Sequence, residues 1–316
     1  MTDVAVLIPV FNGANTVART IDSVLCQRFD GEFEVIVVND GSTDATGAVL
    51  RQYEGRIRIL NQQNHGPAHA RNAAAALSTA EYIAFLDADD AFMPDKLACT
   101  VPKLASDGGA ALLFHDAVAL SRGGREIAPS CVSPERAHPP SMHELLSRLW
   151  PIITSTVVMR RQAFQVCGGF SEEFKFGYED PDLWIRAREH GHFIYIAEPL
   201  TYYTLIEERT ERMEKYLTSQ AVFFRRLRQR YGEAAEELIH RTVHSYTNWL
   251  GYQGLLAMRA GERAEARRYF ARILRRHPTH LKSALRYIRT FLPAPIARVL
   301  SGRTAGTRPN STVYSK

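Results

Sequence analysis

The first 116 residues alternate between two hydrophobic periods, and this alternation restricts the fold more than any other feature of the sequence. Near-continuous apolar runs, typical of strands buried on both faces, alternate with segments whose apolar residues recur at helical spacing. Because the links between them are short, the pattern predicts a parallel sheet with helices on both faces, an α/β fold. The runs are VAVLIPVF (4–11), FEVIVVND (33–40), IRILNQ (57–62), YIAFLD (82–87) and AALLFHD (110–116).

Acidic side chains stand where two of these predicted strands end. Asp40 closes the second run, and Asp87, Asp89 and Asp90 close and follow the fourth. Ligands of such sheets gather at the carboxyl ends of the strands. Clustered carboxylates repel one another unless a cation or hydrogen-bond donors offset their charge. Mg²⁺ or Mn²⁺ accepts one or two carboxylates together with substrate phosphates, but a plain turn ahead of the next helix explains the same residues.

The pattern loosens beyond residue 116. From about residue 117 to 150, the segment SRGGREIAPSCVSPERAHPPS (121–141) is rich in Pro, Gly and Ser and predicts a long loop, and STVVMRR (155–161) predicts a further strand. GYEDPDLW (177–184) predicts a turn that leads into a helix. Residues after 204 are helical in pattern, and 249–278 have the spacing of a packed helix pair.

Five motifs in this order resemble those of family 2 glycosyltransferases. They are LIPVFN, VVNDGSTD, GPAHARN, FLDADD and GYEDPDLW, and together they extend over residues 4–204. The resemblance implies the GT-A fold, with a mostly parallel, Rossmann-like sheet and an inverting sugar transfer from a nucleotide donor. The chain has no G-x-G-x-x-G after its first strand and no G-x-x-x-x-G-K, so it lacks the phosphate loops of dehydrogenases and P-loop enzymes.

The resemblance assigns the nucleotide side of the site. Pro9 and Phe11 line the base pocket, Asp40 hydrogen-bonds the base, and uracil is the usual base, so a UDP-sugar is the expected donor. Arg71 lies near the nucleotide, where a guanidinium pairs with diphosphate or with the base-binding carboxylate. Each position also has a structural interpretation: Phe11 as a core aromatic, Asp40 as a turn residue and Arg71 as a salt bridge on a helix face.

The acidic triplet and the downstream motif supply the chemistry in this resemblance. Asp87 faces the ribose and the metal, Asp89 binds Mg²⁺ or Mn²⁺, and Asp90 has only a role in the turn. The motif GYEDPDLW offers the general base that takes the acceptor proton, with Asp180 preferred over Glu179. If Asp180 instead caps the helix ahead of Pro181, Glu179 becomes the base.

The expected activity is the addition of one sugar to a glycan or a lipid-linked saccharide in bacterial cell-surface polysaccharide synthesis. No QxxRW motif follows GYEDPDLW and no apolar run is long enough for a membrane span, which favours single addition over processive synthesis. A sugar nucleotidyltransferase is the alternative enzyme. A catalytically silent relative that acts as a scaffold through its helical tail is the alternative outside enzymes.

Charge and composition set the remaining expectations. The segment 259–316 has 14 Lys or Arg and 2 Asp or Glu, a net charge of +12. A solvated surface explains this charge, and so does peripheral contact with an anionic membrane or an acidic protein partner; no motif indicates nucleic acid. Widely spaced cysteines and an N-terminus without a signal-peptide pattern favour the cytoplasm.

The predicted organisation is a catalytic domain over 1–204 and a helical extension over 205–300. The catalytic domain divides into a nucleotide-sugar half (1–116) and an acceptor half (117–204). The last segment, 301–316, is predicted to be disordered because it is short of large apolar residues.

Overall fold

The computed structural model describes residues 2–121, 123–174, 176–205, 210–260, 262–276 and 278–291. The chain forms two compact units, Met1–Ile239 and His240–Lys316. The predicted tail at 301–316 lies outside the described residues.

A single mixed sheet forms the centre of the first unit, with the strand order β3-β2-β1-β4-β8-β6-β9-β5 and β7 paired to β6. Strands β3, β2, β1 and β4 lie side by side and are parallel to one another. Strand β8 is antiparallel to both β4 and β6, and β6 is parallel to β9. The strands are β1 Val4–Val10, β2 Phe33–Asp40, β3 Arg58–Gln62, β4 Tyr82–Phe85, β5 Ala91–Phe92, β6 Ala110–Leu120, β7 Glu126–Ala128, β8 Val158–Arg160 and β9 His192–Thr204.

Helices alternate with these strands along the chain, and further helices come after β9. They are α1 Val17–Leu25, α2 Thr46–Arg51, α3 Pro67–Ala76, α4 Lys96–Ala105, α5 Met142–Ser147, α6 Arg161–Val166, α7 Glu179–Ala187, α8 Thr210–Tyr231, α9 Glu236–Ala260, α10 Arg263–Arg276 and α11 Leu281–Arg289. No helix within the described ranges combines the length and the apolar character needed to cross a bilayer.

Alternate residues of each central strand enter different cores, which is why the strands read as continuous apolar runs. In β1, Ala5 and Leu7 pack into the core that also contains Phe170 of the loop before α7. Val6 and Ile8 pack into the other core, which also contains Ile21 and Val24 of α1. Side chains of successive strand residues point to opposite faces, so a sheet buried on both faces needs apolar residues at every position. The predicted α/β fold is confirmed.

The second half of the sheet departs from the predicted pattern. Strand β6 continues to Leu120, four residues beyond the predicted end, and β7 lies within the predicted loop. The sequence pattern does not predict β9, which pairs along most of β6 and extends to β5. These strands depend on partners far away in the chain, and local periodicity does not indicate such partners.

Helix α8 belongs to the first unit, because its residues Phe223 and Leu227 are part of the sheet's core. The compact unit therefore continues to Ile239, and the domain boundary at residue 204 stays a prediction. In the second unit, α9 and α10 approach closely at Gly254: a Cβ there would lie 2.7 Å from the ring of Phe270. Only glycine permits that approach.

Candidate active site

The site lies at the carboxyl edge of the parallel strands, where four charged side chains from distant segments meet. Asp87 follows β4, Arg71 is on the first half of α3, and Glu179 and Asp180 begin α7. Strand β4 and helices α3 and α7 are parts of one core, which fixes these elements relative to one another. The family resemblance predicts that these residues share one site, and the fold brings them together.

Arg71 is the cation of this group, and it is 4% exposed. Its Nη2 lies 2.5 Å from Asp87 Oδ1 and its Nη1 lies 3.1 Å from Glu179 Oε1. Burial alone would lower the pKa of the Arg71 guanidinium, but Asp87 and Glu179 raise it above its ordinary value. The guanidinium also lies 5.2 Å from the ring centre of Phe170, a cation–π contact. Arg71 thus links the predicted donor side of the site to the predicted acceptor side.

Asp180 is the second residue of α7 and does not cap it. The N-cap is Tyr178, in the left-handed region with φ 70°, and its side chain makes no capping hydrogen bond. The alternative in which Asp180 caps the helix ahead of Pro181 is therefore wrong. Desolvation and the neighbouring Glu179 carboxylate raise the pKa of Asp180 to about 8, although Arg71 opposes the rise. Asp180 retains partial solvent access, whereas Glu179 is buried.

The acidic loop, residues 87–90, has carboxylates in three different environments. Asp87 is 32% exposed at its side chain and pairs with Arg71. Asp89 is partly exposed. Asp90 is fully buried and accepts hydrogen bonds from Ser155 and Thr204. Burial and the charges of Asp87 and Asp89 raise the pKa of Asp90 well above its usual range.

The acidic loop is not a complete metal centre by itself. Within the part of the chain that the structure describes, no three His, Cys, Asp or Glu side chains are arranged to hold a metal ion. Asp87 and Asp89 have partly exposed carboxylates, the ligands that hard cations take, whereas Asp90 is fully buried. The donor set fits Mg²⁺ or Mn²⁺ when substrate phosphates and water supply the other ligands.

Asp40 orders the segment that leads to Arg71. Its Oδ1 accepts from His65 N (2.9 Å) and Gln62 Nε2 (2.7 Å), and its Oδ2 accepts from Gly66 N (2.8 Å). Gly66 has φ 93°, a conformation that favours glycine, and α3 begins directly after it. Arg71 pairs with Asp87 rather than with Asp40. Asp40 therefore contacts the segment before α3, whereas Arg71 contacts the acidic residue after β4.

The segment after β1 forms the other wall of this edge. Pro9 is half-buried beside Val38 of β2. Phe11 is 52% exposed, so it is not a core aromatic. Asn12 joins the two strand ends, because its N–H donates to Ser42 Oγ and its Oδ1 accepts from Thr43 N.

Two residues of α7 that follow the site carboxylates have structural roles. Trp184 packs against Phe85 and Phe170 in the core, below the site, and does not face an acceptor. Asp182 pairs with Arg186 and Arg226 and has a structural role.

Tyr203, Ser155 and Thr204 are site residues that the sequence patterns do not identify. Burial and the charges of Asp90, Asp87 and Asp89 raise the pKa of the Tyr203 phenol, which places it beside the acidic loop. Ser155 and Thr204 hydrogen-bond that loop directly. For Ser155 the signal is its place at the start of the predicted strand 155–161. Thr204 ends β9, which the sequence pattern does not predict, so it has no such signal.

The chain matches the model of the family described as glycosyl transferase family 2 over residues 5–168, just over half of its length. It is 30% identical over 213 residues to the amylovoran biosynthesis glycosyltransferase AmsB of Erwinia amylovora, covering 64% of this chain and 69% of that protein. It is also 30% identical to the uncharacterized glycosyltransferase RP339 of Rickettsia prowazekii, covering 58% of each. A relative from Rickettsia bellii is 45% identical over 96 residues, 14% of its length, so the chain spans less than two-thirds of these Rickettsia proteins.

Among solved structures, residues 1–349 of S. aureus TarS in complex with UDP-GlcNAc share the fold, with a TM-score of 0.59 and 18% identity. The match covers 92% of this chain and 90% of that one. At this identity the likeness concerns the fold alone. The family match, the identity to AmsB and the shared fold agree with the acidic loop and the α7 carboxylates described above. The chain belongs to glycosyltransferase family 2, a family of transferase enzymes.

Proposed function

We propose that the protein transfers one sugar from a nucleoside-diphosphate sugar, a UDP-sugar, to a hydroxyl of a saccharide acceptor, with inversion at the transferred carbon. The observation that carries this proposal is the ion pair of Arg71 with both Asp87 and Glu179, next to Asp180. It joins a donor-side carboxylate after β4 to the first residue of α7, which directly precedes the general base proposed below.

Donor binding is assigned to the carboxyl edges of β1, β2 and β4. Phe11 presents an exposed ring on which a base can stack, and Pro9 supports the strand end before it. Asp40 accepts three hydrogen bonds within the protein, and a carboxylate has about four acceptor positions, so about one is left for a base N–H. Arg71 is buried with both terminal nitrogens engaged, so its part in donor binding is to hold Asp87 toward the ribose.

A bound divalent ion is part of this proposal. Asp89, with Asp87, would hold Mg²⁺ or Mn²⁺ together with the diphosphate. Such an ion neutralises the charge that develops on the leaving nucleoside diphosphate.

Asp180 is the proposed general base. The acceptor hydroxyl gives its proton to the Asp180 carboxylate while its oxygen bonds to the anomeric carbon, and the bond from that carbon to the diphosphate oxygen breaks. A pKa of about 8 makes Asp180 a stronger base than an ordinary carboxylate. Glu179 is buried and its Oε1 pairs with the Arg71 guanidinium, so it is less accessible to an acceptor hydroxyl than Asp180. Both facts favour Asp180 over Glu179.

The acceptor is proposed to be a glycan or a lipid-linked saccharide of the bacterial cell surface. Support comes from relatives whose names state such products: amylovoran biosynthesis for AmsB and chondroitin synthase of Pasteurella multocida, which is 29% identical over 61% of this chain. The chain covers 20% of the latter protein, so its polymerising activity is not carried over.

A panel of nucleotide sugars with Mn²⁺, followed by donor hydrolysis and thermal shift, tests the proposal. We expect one UDP-sugar to be hydrolysed slowly without acceptor, and Asp89→Asn to abolish this hydrolysis. Release of pyrophosphate from a nucleoside triphosphate and a sugar phosphate would instead indicate the nucleotidyltransferase. If Asp89→Asn and Asp180→Asn both retain full function in cells, the protein acts as a catalytically silent scaffold.

We also propose that the second unit contacts the anionic inner face of the cytoplasmic membrane. On α11 and two residues past its end, apolar side chains recur at helical spacing and are 55–70% exposed: Leu281, Leu285, Ile288 and Phe291. The segment 259–316 has a net charge of +12, which complements anionic lipid. An exposed apolar face within a basic segment is the composition of an interfacial helix.

Sedimentation with vesicles tests this contact separately from activity. We expect the full chain to sediment with vesicles containing phosphatidylglycerol and less with pure phosphatidylcholine, and Leu285→Ser with Ile288→Ser to reduce the bound fraction. Val166→Ser, which removes an apolar side chain that is 59% exposed in the first unit, is the matched control. Unchanged sedimentation of the double variant refutes the contact. A change only in its oligomeric state refutes it too, and indicates that a second copy covers this face.

A further inference from the structure

The backbone of the acidic loop is held by a chain of hydrogen bonds from residues distant in the sequence. Asp87 N donates to Ser155 Oγ (3.0 Å), and Ser155 Oγ donates to Asp90 Oδ2 (2.5 Å). The other oxygen of this carboxylate accepts from Thr204 N (2.8 Å), and Thr204 Oγ1 donates to Asp89 O (2.6 Å). The chain therefore begins and ends on the backbone of the two residues assigned to the donor and its cation.

Helix α1 holds the same loop from its other side. Arg19 Nη2 donates to Asp89 O (2.6 Å). Thr20 Oγ1 lies 3.0 Å from Ala88 O and 2.7 Å from Asp90 O, so its single hydroxyl proton is shared between two carbonyl groups. Three consecutive carbonyl groups of the loop are thus engaged, and the loop has little freedom to change its conformation.

Ser155 connects the most distant parts of this network. It lies in a short 3₁₀ turn, Thr154–Thr156, before β8, and its own carbonyl accepts from Lys96 Nζ (2.6 Å) and from Thr201 Oγ1 (3.2 Å). Ser155, Asp90 and Lys96 have no exposed surface, so none of them can contact a substrate in the candidate active site. Any effect of Ser155 and Asp90 on the reaction must pass through the acidic loop.

We propose that Ser155 and Asp90 are positioning residues that preset the acidic loop for the donor diphosphate and its cation. The role as a donor site rests on the function proposed above. Removing the Ser155 hydroxyl leaves both the Asp87 N–H and Asp90 Oδ2 without this partner. The loop then samples other conformations, and the carboxylates of Asp87 and Asp89 are no longer held where the donor needs them.

The test compares Ser155→Ala with Ser78→Ala. Ser78 is also buried and makes the same pair of bonds: its Oγ donates to Glu34 Oε1 (2.6 Å) and accepts from Ala80 N (3.0 Å), away from the site. Both variants lose a buried hydroxyl and are expected to lower the urea midpoint by similar amounts. The dissociation constant of UDP in Mn²⁺ is expected to rise about 10- to 100-fold in Ser155→Ala and to stay unchanged in Ser78→Ala.

Substitutions of Asp90 give a second readout. Asp90→Asn keeps the size of the side chain and an oxygen for Thr204 N, and the Ser155 hydroxyl can accept from its amide. Asp90→Ala removes both bonds. We expect Asp90→Asn to restore most of the affinity for UDP with Mn²⁺ that Asp90→Ala loses. Equal affinities in these two variants contradict a positioning role for the Asp90 side chain.

Hydrogen exchange of the amides in the acidic loop separates this inference from the proposed function. Ser155→Ala is expected to speed exchange at these amides, relative to wild type and Ser78→Ala, without any ligand. If Ser155→Ala and Ser78→Ala bind UDP equally well, the positioning role is overturned. If wild type binds no nucleoside diphosphate, the proposed function fails. In that case the exchange rates of the loop amides still show whether Ser155 orders the loop. Equal rates in Ser155→Ala and wild type overturn the positioning role as well.

Discussion

Substitution of Arg71 by Met should destabilise the first unit far more than the loss of an ordinary ion pair. The variant keeps the length of the side chain but removes the cation between Asp87 and Glu179. The Glu179 side chain is 9% exposed, and leaving one partner of a buried pair without its counter-charge costs about 3–5 kcal/mol. The Asp87 side chain is 32% exposed, so its pair adds at most about 1 kcal/mol.

Urea unfolding followed by circular dichroism measures this cost. The matched control is Arg228→Met, because Arg228 pairs with Glu236 at 2.6 Å while about half of each side chain is exposed. We expect the control to lose up to about 1 kcal/mol. Equal losses in the two variants at pH 7 would refute the structural role assigned to Arg71.

Three further predictions concern the base and the second unit. In wild type, kcat/KM should rise with pH and reach half of its maximum near pH 8, because Asp180, with a pKa of about 8, accepts a proton only when ionised; a profile that is flat between pH 6 and 9 contradicts this. Asp180→Asn should lower kcat by about 10²- to 10⁴-fold, whereas Glu179→Gln should keep the rise with pH; the opposite result assigns the base to Glu179. Gly254→Val should lower the thermal midpoint of the second unit, because a Cβ there meets the Phe270 ring at 2.7 Å, and calorimetry with Gly108→Val as the exposed control, where nothing lies within 4 Å of a Cβ, measures the difference.

The first half of the fold follows from the sequence because its information is local. Strands β1, β2 and β4 are apolar at successive positions, and a strand with that pattern must be buried on both faces. Asp40 and Asp87 fall at strand ends, and parallel strands present those ends at one edge. The location of the candidate site therefore follows from periodicity.

The remaining contacts do not follow from local pattern. Ser155 bonds to Asp90 across 65 positions and Thr204 across 114, and nothing near either residue in the sequence indicates such a partner. Asp180 illustrates the same difficulty at shorter range. Its position before Pro181 is typical of a helix cap, but Tyr178 takes the cap position in a left-handed conformation that a tyrosine seldom adopts.

The meeting of Arg71 with Glu179 across 108 positions also lies beyond periodicity, and it is a consequence of how α3 and α7 pack on the same face of the sheet. The resemblance assigned both residues to the site without giving their pairing. The pairing makes Arg71 the link between two carboxylates, and its nearness to the nucleotide stays a prediction.

Calorimetric titration of the full chain with UDP, with and without Mn²⁺, tests the central claim most directly, namely that the edge formed by Asp40, Asp87 and Asp89 binds a nucleoside diphosphate. We predict binding that is tighter with Mn²⁺, and a loss of that metal dependence in Asp89→Asn. Absence of binding by UDP and by the other nucleoside diphosphates, with or without the metal, would contradict the claim.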